Sequence, residues 1–220
     1  MKKRQNASLV DNLGGAADEN IGLAVQTLIA GGIVAFPTET CYGLAVDPFN
    51  EQALAKLFQA KNRPADRPVL LLINTISQLE SLVTHIPEIY SPLIERFWPG
   101  PLTLIFPARP GLSPLVTGGT GTVGVRISPH PVAQALGEAF GSAMTATSAN
   151  ISGQPPARSA AQIRSVFDAM VDVVLNGGMT PAGLCSTIVS ESGGTLQLVR
   201  SGVINLAEFG LVRETASFRK

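Results

Sequence analysis

Residues 18–47 read DENIGLAVQTLIAGGIVAFPTETCYGLAVD. The first thirteen carry apolar side chains at helical spacing: Ile21, Val25 and Leu28 share one face, and Asp18 stands where an N-cap belongs. Gly31-Gly32 stops the helix. IVAF, residues 33–36, is too short and too continuously apolar for a surface helix and reads as a buried strand, which Pro37-Thr38-Glu39 breaks. Extended structure resumes at Cys41 and ends at Pro48. A helix followed directly by two buried strands implies a layered α/β domain.

The rest of the chain repeats that alternation. EQALAKLFQA, 51–60, reads as a helix, NRPADRP as a loop and VLLLI, 69–73, as a strand apolar throughout. Helical stretches are expected near 77–83 and 89–97, then a Trp98-Pro99-Gly100-Pro101 turn and the strand LTLIF, 102–106. Residues 109–121, rich in Gly, Pro, Ser and Thr, read as a mobile loop. Then come a strand VGVRI, a helix 131–140 opened by Pro131, a strand MTATS, a helix 159–168 and a strand VDVVL. STIVS and LQLVR close as strands around a Gly193-Gly194 turn. The order is not strictly βα, which predicts one domain with a mixed, twisted open sheet flanked by helices. Residues 1–17 are expected as a mobile tail, 18–212 as the domain and 213–220 as a C-terminal tail.

Composition removes several function classes. The chain has 220 residues, 45% hydrophobic and 15% charged, with 16 basic and 16 acidic residues. That is enough for one core, and the balanced charge gives no global pull towards nucleic acid. Two histidines and two cysteines, without C-x-x-C or H-x-x-x-H spacing, leave little material for a histidine triad or a zinc site, and no metal ligand is assigned. Cys41 and Cys185 are expected as buried free thiols of a cytoplasmic protein. No secretory h-region and no membrane-length apolar run is visible.

Four stretches carry candidate chemistry. PTETCYGL, 37–44, offers the hydroxyls of Thr38 and Thr40 and the ring of Tyr42 to a small polar ligand, or is simply a tight strand connection. Lys61, Arg63 and Arg67 place three cations within seven residues, fit for phosphate or carboxylate, or for a solvated loop. Arg126 ends one strand and Ser148 and Asn150 end another, so all three fall at the strand-end rim where open α/β sheets hold ligands. Arg200, beyond Ser186-Thr187, reaches the same rim. There is neither a G-x-x-x-x-G-K-[ST] loop nor a G-x-G-x-x-G fingerprint, so a nucleotide here would be held by Lys, Arg, Ser and Asn.

The pairing of KxR at Lys61/Arg63 with SxN at Ser148/Asn150 resembles the YrdC-like family of L-threonylcarbamoyladenylate synthases. VAFPTETCYGLAVD, KNRPADRPVLLLI, WPGPLTLIF, TVGVRISPHPVAQAL, TATSANISGQPP and LVRSGVI follow in the family's order and cover most of 18–205. The resemblance implies a single-domain YrdC-like α/β fold and a nucleotidyltransferase that joins L-threonine, bicarbonate and ATP, with Mg²⁺, into threonylcarbamoyl-AMP and pyrophosphate. It implies tRNA as an indirect partner, through a complex that moves the threonylcarbamoyl group onto adenosine beside the anticodon. It also implies roles: Lys61 and Arg63 as catalytic cations; Lys61, Arg63, Arg126, Ser148, Asn150 and Arg200 for ATP; and Thr38, Tyr42, Arg63 and Ser186 for threonine. The alternative is an RNA-binding module without catalysis, and weak RNA binding stays open beside the enzymatic reading. Against the module stand zero net charge and only 5% aromatic residues, too few for base-stacking surfaces.

Overall fold

The computed structural model describes residues 8–11, 17–181 and 183–206. In chain order it opens with β1 (Ser8–Asp11), α1 (Ala17–Ile29), β2 (Val34–Pro37), β3 (Tyr42–Ala45), α2 (Glu51–Lys61) and β4 (Leu71–Leu72). There follow α3 (Ser91–Phe97), β5 (Leu102–Pro107), α4 (Pro114–Thr117), β6 (Thr122–Arg126), α5 (Pro131–Phe140), β7 (Met144–Thr145) and β8 (Thr147–Ser148). The chain continues with α6 (Ala160–Phe167), β9 (Val173–Asn176), β10 (Thr187–Ser192) and β11 (Thr195–Arg200). Short 3₁₀ turns at Ile76–Ser81 and Glu88–Tyr90 stand where helix was expected before α3.

The strands form two mixed sheets, ordered β1-β9-β2-β3-β8 and β11-β10-β5-β6-β4-β7. The α/β reading with mixed strands holds; the single sheet does not. The division falls inside MTATS, which looks like one strand. Met144 and Thr145 pair with β4, whereas Thr147 and Ser148 pair with β3. Thr145 joins the two sheets at this point. Its fully buried hydroxyl donates to Leu44 O (3.0 Å) and accepts from Val46 N (2.9 Å). A hydroxyl on a β-branched side chain keeps strand geometry while pairing backbone groups that no ladder reaches.

A second correction concerns the N-terminus. Ser8–Asp11, assigned to a tail, is a strand parallel to β9. The remainder of 1–17 before α1, and all of 213–220, lie outside the described residues.

Alternation along β2 sorts the core. Val34 and Phe36 face α1 and α5, joining Ile21, Ala24, Leu28, Val132, Ala133 and Leu136 in one buried cluster. Ala35 faces the other way, into a larger cluster between the sheets that takes Leu54 and Leu57 of α2 and Ile163 and Phe167 of α6. Val25 is only partly buried, at the edge of the first cluster. Helix α1 begins at Ala17, so Asp18 lies within its first turn rather than capping it.

Capping fixes the ends that matter for the site. Asn50 Oδ1 accepts from Ala53 N (3.0 Å) to start α2. Asn62, at φ 49°, ends it in left-handed geometry, which asparagine tolerates and which swings Arg63 away from the helix axis. The 109–121 segment is less loose than its composition suggests. Ser113 caps α4, Val116 is fully buried, and Val116 O accepts from Val69 N (3.1 Å). The β10–β11 hairpin turns at Gly193 and Gly194, φ 59° and 74°, the pair of positive angles that a two-residue turn of matching twist requires.

Candidate active site

A cavity of about 300 Å³ opens where the strand ends of both sheets meet. Arg63 and Arg67 come from the loop after α2, Arg126 from the end of β6, Ser148 from β8, Cys185 and Ser186 from the segment before β10, and Arg200 from the end of β11. Thr40 and Cys41 enter from the β2–β3 connection, and Leu70, Ile105 and Ile188 supply apolar wall. A partly apolar cleft with convergent cations suits a small ligand carrying phosphate or carboxylate.

The cations are held by different means. Arg63 Nε donates to Arg67 O (3.2 Å) and Nη2 to Pro68 O (2.6 Å), and its guanidinium lies 5.9 Å from the centroid of the Phe58 ring. Burial and the neighbouring Arg67 both press the Arg63 guanidinium towards lower pKa. Arg200 Nη2 donates to Ser186 O (2.9 Å) and Ser186 Oγ (3.1 Å), and Ser186 Oγ lies 2.9 Å from Thr103 Oγ1. The tail after β11 folds back over this segment: Val203 N donates to Cys185 O (3.0 Å) and Thr187 Oγ1 to Ile204 O (2.8 Å). Gly202 permits that approach, since a Cβ there would stand 2.4 Å from Cys185 O.

Arg126 is 5% exposed and forms an ion pair with Glu39. Glu39 also accepts from Ser128 Oγ, and Arg126 Nη2 donates to Thr38 Oγ1 (3.3 Å). Sequence reasoning passed over Glu39. One carboxylate has no motif spacing to betray it; the available signal was a charge between two buried strands, which needs a counter-charge.

Lys61 sits elsewhere than expected. It is 1% exposed, and its ammonium donates to Ser148 O, to Asn150 O (2.8 Å) and to Asn150 Oδ1 (3.3 Å). Lys61 O accepts in turn from Ser152 N (2.9 Å), so the last residue of α2 is fastened by both ends to the segment 148–152. Burial, with a smaller contribution from Arg63, brings the Lys61 pKa down to about 7. Ser148 Oγ donates to Asn150 Oδ1 (2.6 Å), and Asn150 Nδ2 donates to Gln154 O (2.7 Å). Lys61 and Asn150 therefore stand behind Ser148 and shape the turn from within.

The cavity thus brings together Arg63, Arg126, Ser148, Ser186 and Arg200. Thr38 lies just behind Arg126, its hydroxyl donating to Cys41 O (2.7 Å). Tyr42 is not brought to the cavity. It is fully buried, and its hydroxyl donates to Gly178 O (2.9 Å) and accepts from Gly177 N (3.3 Å). Tyr42 serves the turn through its backbone, as Tyr42 O accepts from Ala149 N (2.8 Å). Among the described residues no group of three or more His, Cys, Asp or Glu could hold a metal ion, and no helix is long and apolar enough to cross a membrane. Cys41 and Cys185 are free and partly exposed rather than buried.

Residues 26–202 match the family Sua5_yciO_yrdC, described as "Telomere recombination". The chain belongs to the Sua5/YciO/YrdC family. Two relatives within it are both named threonylcarbamoyl-AMP synthase. The Bacillus subtilis protein is 41% identical over 92% of this chain and 58% of its own length, and the Pyrococcus abyssi protein 40% identical over 86% and 55%. The chain therefore spans a little over half the length of these two Sua5/YciO/YrdC relatives. A crystal structure of P. abyssi Sua5 complexed with L-threonine superposes with TM-score 0.87 at 37% identity, covering 94% of this chain and 62% of that one. Escherichia coli YciO, at 23% identity and TM-score 0.81, covers 92% of this chain and 99% of its own, a likeness of fold alone.

Proposed function

We propose that this protein is an L-threonylcarbamoyladenylate synthase, making threonylcarbamoyl-AMP and pyrophosphate from L-threonine, bicarbonate and ATP. The observation that carries the reading is the cavity itself: four arginines meet there beside the hydroxyls of Ser148 and Ser186. The threonine-bound relative and the synthases named above support the choice of substrates.

The chemistry follows from those groups. Threonine's amine takes up CO₂ or bicarbonate as a carbamate, and a carbamate oxygen attacks the α-phosphorus while pyrophosphate leaves. Negative charge gathers on phosphorus and on the leaving group, and fixed cations at that point lower the barrier. Arg63, Arg126 and Arg200 supply them, each already oriented by a carbonyl or carboxylate partner. Ser148 presents its hydroxyl from the TATSAN turn, which Lys61 and Asn150 keep in shape. Lys61 then contributes to catalysis by positioning that turn. Ser186 is the hydroxyl partner for threonine, with Arg63 for its carboxylate, and Thr38 acts from behind by holding Arg126. Tyr42 takes no direct part. The described residues supply no carboxylate or imidazole cluster for a resident metal, and Glu39 is engaged by Arg126 and Ser128. Mg²⁺, carried in with ATP, would help to neutralise the charge on the leaving pyrophosphate. The product is a labile mixed anhydride, which fits hand-over to a transferase complex acting on tRNA in the cytoplasm.

Incubating the protein with MgATP, L-threonine and bicarbonate, and following products by mass spectrometry, tests this. A threonylcarbamoyl-AMP mass that disappears when any component is left out supports the reading. ATP binding without that product, or no ATP binding, overturns it.

A further inference from the structure

Cys41 and Cys185 are 144 positions apart in a chain with no other cysteine, yet both line the same cavity and both are partly exposed. They come from different sheets. Cys41 precedes β3, and Cys185 precedes β10. The two sulfurs are electrostatic neighbours in that cavity, and the Thr40 hydroxyl lies 4.0 Å from Cys41 Sγ. Arg126 lies near both sulfurs and Arg200 beside Cys185. Nothing in the reaction proposed above uses either sulfur.

We propose that Cys41 and Cys185 are a peroxide-reactive thiol pair that closes an intramolecular disulfide across the cavity. The neighbouring Cys41 thiol, with help from Arg200 and Arg126, pulls the Cys185 thiol towards the thiolate, while the nearness of Cys185 and burial push the Cys41 thiol up. Cys185 is therefore the attacking sulfur and Cys41 the resolving one. The Cys185 thiolate attacks one oxygen of hydrogen peroxide, the O–O bond breaks, and the departing hydroxide leaves as water with the proton that Cys185 gave up. Cys185 is then a sulfenic acid. The Cys41 sulfur attacks it, the S–O bond breaks as the S–S bond forms, and a second water leaves with the Cys41 proton. Two thiols are oxidised and one peroxide is reduced to two waters.

The bond draws the sulfurs to about 2 Å and requires their Cα atoms within roughly 7 Å. It links the Thr40-Cys41 wall to the Cys185-Ser186 wall, beside the groups that orient Arg126 and Arg200. Closure of the cavity to ligand rests on the function proposed above; formation of the bond does not.

The protein, reduced and desalted, is treated with equimolar hydrogen peroxide, digested without reductant and mapped by mass spectrometry. A joined peptide carrying Cys41 and Cys185, lighter by two hydrogens than the sum of its parts and separated by dithiothreitol, is expected. It should be absent from Cys41→Ser and from Cys185→Ser. Separate sulfinic or sulfonic adducts, or a disulfide only between chains, would overturn the pairing. In the second arm, ATP affinity by calorimetry is expected to fall at least about tenfold on oxidation and return on reduction, with Cys185→Ser, which lacks the attacking sulfur, unaffected by peroxide. Oxidised protein that binds ATP as tightly as reduced protein overturns the closure. Reduced protein that binds no ATP yet yields the joined peptide overturns the nucleotide reading and upholds the thiol pair.

Discussion

Exchanging Lys61 for methionine keeps most of the side-chain volume and removes one buried ammonium, so its effect should be read in the pH dependence of stability. Burial lowers the Lys61 pKa from 10.5 to about 7. Below about pH 7 both folded and unfolded chains hold the proton, and the fold carries the whole cost of the buried charge. Above it the folded protein gives the proton up while the unfolded chain keeps it, so stability rises with pH until the unfolded pKa is reached. The gap of about 3.5 units corresponds to roughly 5 kcal/mol over the full window. Between about pH 8 and about pH 9 wild-type stability, measured against Lys61→Met, should climb by roughly 1 kcal/mol. Urea unfolding of the two proteins at several pH values gives the difference directly, and every other titrating group cancels. The absolute offset at neutral pH is less telling, because the variant also leaves Asn150 O without its donor, at about 1–3 kcal/mol. A difference that stays flat across the range would refute the reasoning. It would mean that the three oxygens around the ammonium outweigh its burial.

Glu39→Gln keeps the shape but removes the carboxylate from the buried pair with Arg126, and kcat/KM for ATP should fall by about tenfold or more; unchanged steady-state kinetics would show that Arg126 needs no such partner. Tyr42→Phe deletes the bonds to Gly177 and Gly178 and should cost about 1 kcal/mol in chemical denaturation, with threonine affinity unaltered by calorimetry. A large loss of threonine binding would return Tyr42 to the cavity wall. Val116→Ala should lower stability by about 2 kcal/mol, because α4 is anchored through that fully buried side chain; a neutral effect in thermal unfolding would restore the picture of a free loop.

Much of the site could be read from the chain because strand ends, where apolar runs give way to Arg and Ser, are plain in sequence. Arg126, Ser148 and Arg200 were located by that rule alone, and the structure gathers them. The misses have physical reasons. Methionine, threonine, alanine and serine in MTATS all tolerate extended backbone, and only the partners of Thr145, about a hundred residues away, decide where the strand is cut. Tyr42 is amphipathic, so its ring suits a pocket or a core equally, and Gly177 and Gly178 settle the matter from a distant loop. A lysine at a helix C-terminus is normally a solvated charge. Lys61 instead turns inward because residues 148–150 place carbonyls above it. Glycine, proline and serine in 109–121 hide the single valine that pins the segment.

The segment 144–150 has a fixed length for a reason that concerns evolution rather than chemistry. Its first two residues are registered against β4 and the fourth and fifth against β3, with Ala146 N donating to Leu70 O between them (2.8 Å). Ordinary surface turns absorb insertions and deletions because one flank can slide. Neither flank is free here. A single added or lost residue would reverse the facing of the side chains of β7 or of β8 against their partners. Substitution is the only kind of change this stretch can accept.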